Sequence, residues 1–372
     1  MKTSKQKLSI HLIIGARPNI IKIAPLYHAL IKQPWAEPII VHTDQHYNPN
    51  MSHSILLDFQ LPNPDIHLKV GSGTHAEQTS RVMIAYEKII LKHHPDLIIV
   101  VGDVNSTLAV SIVASKLGVK LAHLEAGLRS FDRSMPEEIN RLITDSLSDI
   151  LWTHSKDADQ NLTREGVAPD KIKRVGNIMI DAIEMLRPAI VNNNSYKQLP
   201  FKDKQYAVVT LHRPSNVDHA FYLEQICVSL NQIANIMPIV FPVHPRTASR
   251  FAEFHLNHML TNNPAILLIE PMSYISFMNI IFHCKLVITD SGGLQEETTF
   301  LNIPCITLRP NTERPITLTQ GTNHLCSIHN LETTFKELLG SQSIQQKHIE
   351  FWDGYTSTRV VESIQRSMLV YD

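Results

Sequence analysis

Residues 96–118 read DLIIVVGDVNSTLAVSIVASKLG, and this stretch decides the fold. Its first part holds an uninterrupted run of leucine and β-branched residues, which is typical of a strand buried on both faces of a parallel sheet. A polar turn follows, and mainly apolar residues then continue for the length of a helix as far as Gly118. Strand, turn and helix in this order predict one unit of an α/β sheet.

The same unit recurs on both sides of this stretch. Short apolar runs alternate with helix-length segments, which predicts parallel strands joined by helices in doubly wound sheets. Besides DLIIVVGD (96–103), the predicted strands are LSIHLIIG (8–15), EPIIVHT (37–43), VKLAHLEAG (119–127), DILWTH (149–154), YAVVTLH (206–212), MPIVFPVH (237–244), AILLIEP (265–271), KLVITDSGG (285–293) and IPCITL (303–308).

One polar stretch, RPAIVNNNSYKQLPFKDKQ (187–205), interrupts this rhythm and is typical of a linker. The chain has 372 residues, which is more than one hydrophobic core usually serves. We therefore predict an α/β protein with two Rossmann-like domains and an interdomain cleft. The predicted limits are 1–190 and 191–355 for the two domains, and 356–372 for an amphipathic C-terminal helix that packs back on the first domain.

Composition excludes several classes of protein. The formal net charge of -1 argues against a nucleic-acid partner, and no apolar run approaches the roughly 20 residues of a membrane span. The four cysteines form no CxxC pair, and the 20 histidines occur without HExxH or a carboxylate-rich ligand set. We expect a cytoplasmic protein with no membrane partner and no bound metal.

Ligands of open α/β sheets bind beyond the carboxyl ends of the strands, so the residues that follow each strand are the candidates. After the first strand comes GARPNIIK (15–22), which lacks the GxGxxG of a dinucleotide site. Arg17 and Lys22 would stand near a helix N-terminus, where an anion is favoured. A solvated arginine and a lysine that extends to solvent explain these two residues equally well.

Three acids follow later strands of the first domain. Asp103 and Glu125 end two predicted strands, and Glu137 opens the next helix. Capping or a favourable interaction with the helix dipole would explain each acid singly. Three acids at one sheet edge favour a second interpretation, in which neighbouring carboxylates in a partly dry site divide into an acid and a base.

In the second domain, His212 ends a strand, where it is either a hydrogen-bonded core residue or a group that binds phosphate or passes a proton. The turn Ser291-Gly292-Gly293 leads from a strand into a helix and is suited to a phosphate group. Glu297, one turn later, would accept hydrogen bonds from ribose, although a simple helix cap is the alternative. The site has no P-loop lysine, which disfavours an ATPase.

Taken in order, these stretches resemble the non-hydrolysing UDP-N-acetylglucosamine 2-epimerases over nearly the whole chain. The resemblance implies two Rossmann-like domains of the glycosyltransferase-B type, a homodimer, and interconversion of UDP-GlcNAc and UDP-ManNAc without a metal or nicotinamide cofactor. The stretches are GARPNIIKIAPL (15–26), TDQHYN (43–48), GDVNSTLA (102–109), HLEAGLRS (123–130), MPEEINR (135–141), VGNIMIDA (175–182), TLHRPSN (210–216), DSGGLQEE (290–297) and NTERP (311–315).

The resemblance also implies a role for each candidate residue. Asp103, Glu125 and Glu137 match the carboxylates of acid–base catalysis, and His212 matches the catalytic histidine. The residues that match the UDP-sugar site are Arg17, Lys22, Phe277 near the uracil, Ser291, Gly292 and Gly293 at the diphosphate, Glu297 at the ribose, and Arg314. Met272 departs from the glutamine of some members, so uracil recognition would rest on other groups.

Three alternatives stay open. Relatives that act on UDP-diacetamido-uronic acid sugars share GARP and HLEAGLRSF, and a glycosyltransferase of the same architecture would also bind a nucleotide sugar. A non-enzymatic nucleotide-sugar sensor would keep the phosphate site but has little use for three acids. For an epimerase, the C2 proton of GlcNAc is not acidic, so we expect UDP to leave first, giving 2-acetamidoglucal, and then to add back.

Overall fold

The structure is a computed structural model that describes residues 7–45, 49–340 and 348–369. The last three residues of the TDQHYN stretch, 46–48, lie outside the described residues. By its internal packing the chain divides into two compact units. The first comprises Met1–Met185 and Glu350–Asp372, and the second comprises Leu186–Ile349.

Strands and helices alternate along the described chain. The strands are β1 (Leu8–Ile14), β2 (Ala36–His42), β3 (Ile66–His67), β4 (Leu97–Val101), β5 (Lys120–Ala126), β6 (Ile150–Thr153), β7 (Ile172–Arg174), β8 (Ala207–Thr210), β9 (Ile239–Pro242), β10 (Ile266–Ile269), β11 (Leu286–Thr289), β12 (Cys305–Thr307) and β13 (Asn323–Leu325). The helices are α1 (Arg17–Leu30), α2 (Pro49–Asp58), α3 (His75–His93), α4 (Asn105–Lys116), α5 (Pro136–Leu147), α6 (Lys156–Arg164), α7 (Ile178–Asn192), α8 (Pro214–Val217), α9 (Ala220–Ala234), α10 (Pro245–Glu253), α11 (Asn257–Thr261), α12 (Tyr274–Phe282), α13 (Gly292–Phe300), α14 (Ile316–Thr319), α15 (Leu331–Gly340) and α16 (Thr356–Met368).

The first unit is built on a parallel sheet with the strand order β3-β2-β1-β4-β5-β6-β7. Its central strands are buried on both faces, as shown by the adjacent residues Leu12 and Ile13 of β1 and Ile98 and Ile99 of β4. The chain order reverses between β1 and β4, so the loops after these two strands diverge and leave a crevice at the carboxyl edge. Arg17 follows β1 and Asp103 follows β4, which places both at this switch point.

The second unit repeats the design with the strand order β10-β9-β8-β11-β12-β13, again all parallel. Here the order reverses between β8 and β11. His212 follows β8 and Ser291 follows β11. Each unit therefore presents candidate residues at its own switch point, where an open α/β sheet binds ligands.

The C-terminal helix α16 belongs to the first unit, where it packs against α1. The buried carboxylate of Asp181 accepts hydrogen bonds from the amides of Thr356 (3.0 Å) and Ser357 (2.7 Å), so it caps the first turn of α16. Burial raises the pKa of Asp181. The indole of Trp152 in β6 donates a hydrogen bond to the Ser363 hydroxyl at 2.9 Å, which is a second contact that holds α16 to the first unit.

The α/β prediction with two Rossmann-like parts is confirmed, and each strand predicted from the sequence is present. The strands β3, β7 and β13 were not predicted, because two or three residues carry too little pattern. Helix α7 continues through Pro188 to Asn192, so the start of the predicted linker is helical. No helix among the described residues combines the length and apolar character that a membrane span requires.

Candidate active site

The turn after β1 is held by one side chain, that of Asn19. Its oxygen accepts the amide hydrogens of Gly15 (3.2 Å) and Ala16 (2.8 Å), and its nitrogen donates to the carbonyl of Val101 (2.9 Å). This asparagine therefore ties the start of α1 to the end of β4. The half-buried Arg17 is the first residue of α1, and the first turn of this helix contains no acid. The arginine therefore adds its charge to the positive end of the helix dipole, which favours an anion at this point.

Lys22, one turn further along α1, is buried and does not extend to solvent. Its ammonium contacts Oε2 of Glu125, which is also buried, so the two form an ion pair inside the first unit. The alternative of a solvent-directed lysine is therefore excluded. Breaking a buried pair leaves an uncompensated charge, so each partner holds the other in place.

Glu125 has a backbone conformation that is rare for a residue with a side chain. Its φ is 72°, in the left-handed region, although it lies within β5. The register of β5 against β6 shifts between Leu124 and Ala126, which marks a bulge at Glu125. Such a conformation costs about 1–2 kcal/mol for a non-glycine residue and is found where a strand re-aims a side chain beside a functional site.

Gly102 brings the end of β4 close to the same ion pair. Its φ of 69° is left-handed, and a Cβ there would lie 3.5 Å from both Oε2 of Glu125 and Nζ of Lys22. The left-handed backbone is the reason for a glycine here, because a Cβ at this distance would make only van der Waals contact with the charged pair. The three elements α1, β4 and β5 meet at this point.

Asp103 is held by helix α5. Its carboxylate contacts the Arg141 guanidinium, and its carbonyl accepts a hydrogen bond from Asn140 at 2.8 Å. The Asp103 side chain is 30% exposed, so one side of it remains accessible. Because Asn140 and Arg141 lie on α5, whose second residue is Glu137, the start of that helix is held at the end of β4.

The two adjacent glutamates of α5 differ in their surroundings. Glu138 is buried and accepts hydrogen bonds from the Ser130 amide (2.9 Å) and the Arg141 guanidinium (2.7 Å). Burial alone would raise its pKa, but these bonds outweigh burial and lower it. Glu138 is thus committed to structure, whereas Glu137 is half-buried in the first turn and is the better candidate for chemistry.

A buried charge network lies on the same strand as Glu125. The Nδ1 of His123 faces Asp145 at 2.6 Å and its Nε2 faces the Gly102 carbonyl at 2.9 Å. Arg129 also contacts Asp145, at 2.7 Å. Burial opposes ionisation of Asp145, but His123, Arg129 and the Gly127 amide together lower its pKa.

Both ring nitrogens of His123 lie within hydrogen-bond distance of an oxygen atom, one of the Asp145 carboxylate and one of the Gly102 carbonyl. The imidazole therefore connects helix α5 with the turn that follows β4. Sequence reasoning missed this network. The stretch HLEAGLRS contains His123 and Arg129, but their partner Asp145 lies on α5.

In the second unit, His212 is oriented by Asp290. The buried Asp290 carboxylate lies 2.9 Å from Nδ1 of His212 and accepts the backbone amides of His212 (3.0 Å) and Arg213 (2.9 Å). Burial would raise the pKa of Asp290, but His212, the Arg213 amide and Asn216 lower it. With Nδ1 bound to the ionised carboxylate, the 40% exposed ring directs its other nitrogen away from Asp290.

The Ser291-Gly292-Gly293 turn forms the N-terminus of α13, with Ser291 as the N-cap residue. The Ser291 hydroxyl makes no capping bond to the helix. A Cβ on Gly292 would lie 2.6 Å from the Arg314 guanidinium and 2.8 Å from Oε1 of Glu313. Gly292 is thus required by the close packing of Arg314, a reason that the strand-to-helix pattern alone did not reveal.

Arg314 belongs to a buried ion network behind this turn. It contacts Glu296 of α13 at 3.0 Å and also Glu313, which in turn pairs with Arg309 at 2.7 Å. All four side chains are buried. The network fixes the guanidinium of Arg314 next to the N-terminus of α13. The arginine and the positive end of the helix dipole therefore lie together, as at Arg17.

Glu297 and Phe277 are connected through helix α12. The Tyr274 hydroxyl donates a hydrogen bond to Oε1 of Glu297 at 2.7 Å. Tyr274 is the first residue of α12, and Phe277 lies one turn later with a half-buried ring. The Ser273 side chain caps α12 by accepting from the Ser276 amide at 3.3 Å. Tyr274 was not predicted from the sequence.

Comparison with known proteins identifies the family. A family model described as UDP-N-acetylglucosamine 2-epimerase matches residues 28–365. The chain belongs to the UDP-N-acetylglucosamine 2-epimerase family. This confirms the resemblance drawn from the ordered motifs.

Relatives in this family match over almost the full chain. The UDP-N-acetylglucosamine 2-epimerase of Methanocaldococcus jannaschii is 44% identical over 364 residues, covering 95% of this chain and 98% of the relative. A crystal structure of the M. jannaschii UDP-GlcNAc 2-epimerase in complex with UDP-GlcNAc and UDP has a TM-score of 0.89 at 41% identity, covering 96% of this chain and 99% of that chain. The UDP-2,3-diacetamido-2,3-dideoxy-D-glucuronate 2-epimerase of Pseudomonas aeruginosa is 37% identical, covering 96% of this chain and 100% of the relative.

Proposed function

We propose that this protein is a non-hydrolysing UDP-GlcNAc 2-epimerase, which interconverts UDP-GlcNAc and UDP-ManNAc. The observation that carries the proposal is Glu125, an acid held in a left-handed conformation at a strand bulge and paired to a buried lysine. A strained carboxylate at the carboxyl edge of a parallel α/β sheet is typical of a catalytic group. The M. jannaschii relatives support the choice of sugar.

The reaction begins with loss of UDP. The hydrogen on C2 is not next to a carbonyl, so direct removal would leave an unstabilised carbanion. Cleavage of the C1–O bond instead places the electron pair on the UDP oxygen and positive charge at C1. Loss of the C2 proton then gives 2-acetamidoglucal. Re-protonation of C2 from the opposite face and return of UDP to C1 give the epimer, and all atoms are conserved.

The second unit provides the groups suited to the leaving UDP. Arg314 and the amides at the start of α13 stabilise charge that develops on the diphosphate, and the Ser291 hydroxyl is an additional donor. His212, oriented by the ionised Asp290, supplies a further donor or proton. Glu297 and Phe277 would contact the ribose and the uracil. In this proposal Arg17 and Lys22 of the first unit add positive charge near the reacting bond.

The first unit provides the groups suited to the proton. Asp103 follows β4, Glu125 lies at the bulge of β5, and Glu137 lies in the first turn of α5. One carboxylate removes the C2 proton and another delivers a proton to the opposite face. The buried ammonium of Lys22 contacts the Glu125 carboxylate and holds it in position. We leave open which of the acids acts on which face.

One incubation tests the proposal. Purified protein is mixed with UDP-GlcNAc, without an acceptor, and the anomeric signals of the sugar are followed by ¹H NMR. The proposal expects an equilibrium mixture of UDP-GlcNAc and UDP-ManNAc. Accumulation of free ManNAc and UDP would identify a hydrolysing enzyme, and an unchanged spectrum would contradict the proposal.

Two alternatives have distinct outcomes in the same assay. The P. aeruginosa relative makes a C2 epimerase of a UDP-diacetamido-uronic acid the runner-up, and this enzyme would turn over that sugar and leave UDP-GlcNAc unchanged. A glycosyltransferase would need an acceptor and would release UDP only when one is added. We also expect a homodimer, which light scattering of the purified protein would test.

A further inference from the structure

Two histidines meet at the edge of the sheet in the first unit. Strands β2 and β3 are parallel, and His42, the last residue of β2, is the direct register partner of His67 in β3. Register partners on neighbouring strands point to the same face of a sheet. The two imidazole rings lie 5.7 Å apart between centroids, inclined by 30°.

A carboxylate lies between the two rings. Asp44, two residues beyond β2, has a φ of 57°, and this left-handed turn directs its side chain back towards the strands. One carboxylate oxygen is 2.8 Å from Nδ1 of His42 and 3.2 Å from Nδ1 of His67. The other oxygen accepts the amide hydrogen of Lys69 at 3.0 Å, which fixes the orientation of the carboxylate.

These distances fit the spacing of metal ligands. Ligands at about 2.0–2.1 Å from a tetrahedral ion lie roughly 3.3 Å from one another, close to the separations between Asp44 and the two imidazoles. One ligand atom from each of His42, Asp44 and His67 lies within 4.8 Å of the other two. Two imidazoles and one carboxylate are a ligand set for divalent transition metals such as Zn²⁺.

The exposure of the three side chains also fits a metal. His42 and Asp44 are largely buried, whereas the His67 side chain is 43% exposed. One side of the cluster therefore faces water, so an ion can enter and keep a water molecule as its fourth ligand. The amide of Lys69 acts on the carboxylate from outside the ligand set, as partners of metal ligands commonly do.

We propose that His42, Asp44 and His67 bind a divalent transition-metal ion of the Zn²⁺ class. Without an ion, Nδ1 of His42 accepts the amide hydrogen of Asp44 at 2.9 Å, and Nδ1 of His67 lies 3.2 Å from both oxygens of the Asp44 carboxylate. A bound ion would take the place of these contacts. The prediction of no metal made from the sequence depended on spacing along the chain. These ligands come from two strands, so no local motif marks them.

A metal here would stabilise the loop that follows β2. The neighbours of Asp44 hold that loop to α4: the Thr43 hydroxyl is 2.7 Å from the Ser106 hydroxyl, and Oε1 of Gln45 accepts from the same hydroxyl at 2.6 Å. An ion bound to Asp44, which lies between Thr43 and Gln45, would hold the same loop at a further point. Binding to the folded state alone raises the melting temperature of the protein.

The experiment is a metal titration of the full chain, purified without a histidine tag and treated with chelator. Isothermal titration calorimetry with Zn²⁺ is combined with Co²⁺ absorption spectra, since Co²⁺ reports tetrahedral nitrogen and oxygen ligands. We expect one site per chain, a visible Co²⁺ band and a raised melting temperature that EDTA reverses. Absence of a bound equivalent would overturn the proposal.

Two variants and a control test whether the ion binds at these three residues. His67→Ala and Asp44→Asn should each weaken Zn²⁺ binding by about 10²-fold or more, since replacement of outer-shell partners alone costs 10–100-fold. Asn tolerates the left-handed backbone of Asp44, so the second variant keeps the turn. His283→Ala is the control, because His283 pairs with one carboxylate, Asp203, at 2.9 Å. Unchanged binding in both site variants, or an equal loss in the control, would place the metal elsewhere and contradict the proposal.

Discussion

Lys22 and Glu125 are separated by 103 positions in the sequence, yet their charged groups are in direct contact inside the first unit. The contact joins the helix after β1 to the bulge of β5, and Gly102, which directly follows β4, lies beside it. The carboxyl edge of the first sheet is therefore organised around one buried ion pair. The proposed chemistry follows from this pair, and the predictions below address it first.

Glu125→Gln should reduce turnover of UDP-GlcNAc by about 10²-fold or more, because an amide cannot exchange the C2 proton. The KM should change far less, since the amide keeps the size of the side chain. Steady-state kinetics followed by NMR gives both values. Circular dichroism and a melting curve establish that the variant is folded. Turnover near that of the parent protein would remove Glu125 from the mechanism.

Gly102→Ala tests the approach of β4 to the ion pair. A Cβ in the left-handed region costs about 1–2 kcal/mol, and here it would also lie 3.5 Å from the charged atoms of Glu125 and Lys22. We expect lower stability and a loss of activity of about tenfold or more, consistent with the sensitivity of catalysis to small displacements.

Gly118→Ala is the matched control for Gly102→Ala. Gly118 has nearly the same φ, 67°, but a Cβ there has no atom within 4 Å. The Gly118→Ala variant should lose about as much stability as Gly102→Ala and keep the activity of the parent protein. Equal activity in the two variants, measured well below both melting temperatures, would show that the position of Gly102 beside Glu125 does not matter.

Gly292→Ala tests the UDP side of the proposal. The new Cβ would lie 2.6 Å from the Arg314 guanidinium, which its ion pairs with Glu296 and Glu313 prevent from moving freely. We expect UDP binding to weaken by roughly tenfold or more, or about 1.4 kcal/mol, in a calorimetric titration. Gly340→Ala, where a Cβ meets open space in the same unit, should bind UDP like the parent. If Gly292→Ala binds UDP as tightly as the parent protein, the proposal that the diphosphate binds at the Ser291-Gly292-Gly293 turn is contradicted.

His11 should make the stability of the first unit depend on pH. Burial, with a smaller contribution from His93, lowers the pKa of His11 to about 4. Between pH 6.5 and about 4 the unfolded chain binds a proton that the folded chain does not, so stability falls as the pH falls through this window. The full effect is roughly 3–4 kcal/mol, from about 2.5 pH units at about 1.4 kcal/mol each.

His11→Gln measures this contribution, since glutamine does not titrate and can still accept the hydrogen bond of Tyr86, which lies 3.0 Å from Nδ1 of His11. The loss of melting temperature between about pH 7 and pH 5 should be smaller in this variant than in the parent. The exposed His329→Gln is the control and should follow the parent. An unchanged pH dependence in His11→Gln would show that His11 is not the group responsible.

Much of the fold could be predicted, because a strand buried on both faces of a parallel sheet leaves an unbroken apolar run such as that of β4. The same reasoning placed Asp103 and Glu125 at the carboxyl edge, since each directly ends such a run. Short edge strands such as β3 leave no comparable pattern, and their existence depends on pairing with a neighbour.

The detailed site could not be predicted, because it depends on contacts between distant segments. Nothing in HLEAGLRS indicates that Glu125 is left-handed, or that Lys22 is its partner. In the MPEE stretch, burial and the hydrogen bonds from Ser130 and Arg141 distinguish the structural Glu138 from Glu137. The roles of His212, Ser291 and Glu297 in substrate binding stay predictions.

The most direct test of the proposed chemistry is the fate of the hydrogen on C2. UDP-GlcNAc is incubated with the protein in deuterated water, and the C2 position of both sugars is examined by NMR and mass spectrometry. We predict that deuterium enters C2 of UDP-ManNAc, accompanied by traces of UDP and 2-acetamidoglucal. Formation of UDP-ManNAc that retains the original C2 hydrogen in full would contradict a route through proton removal.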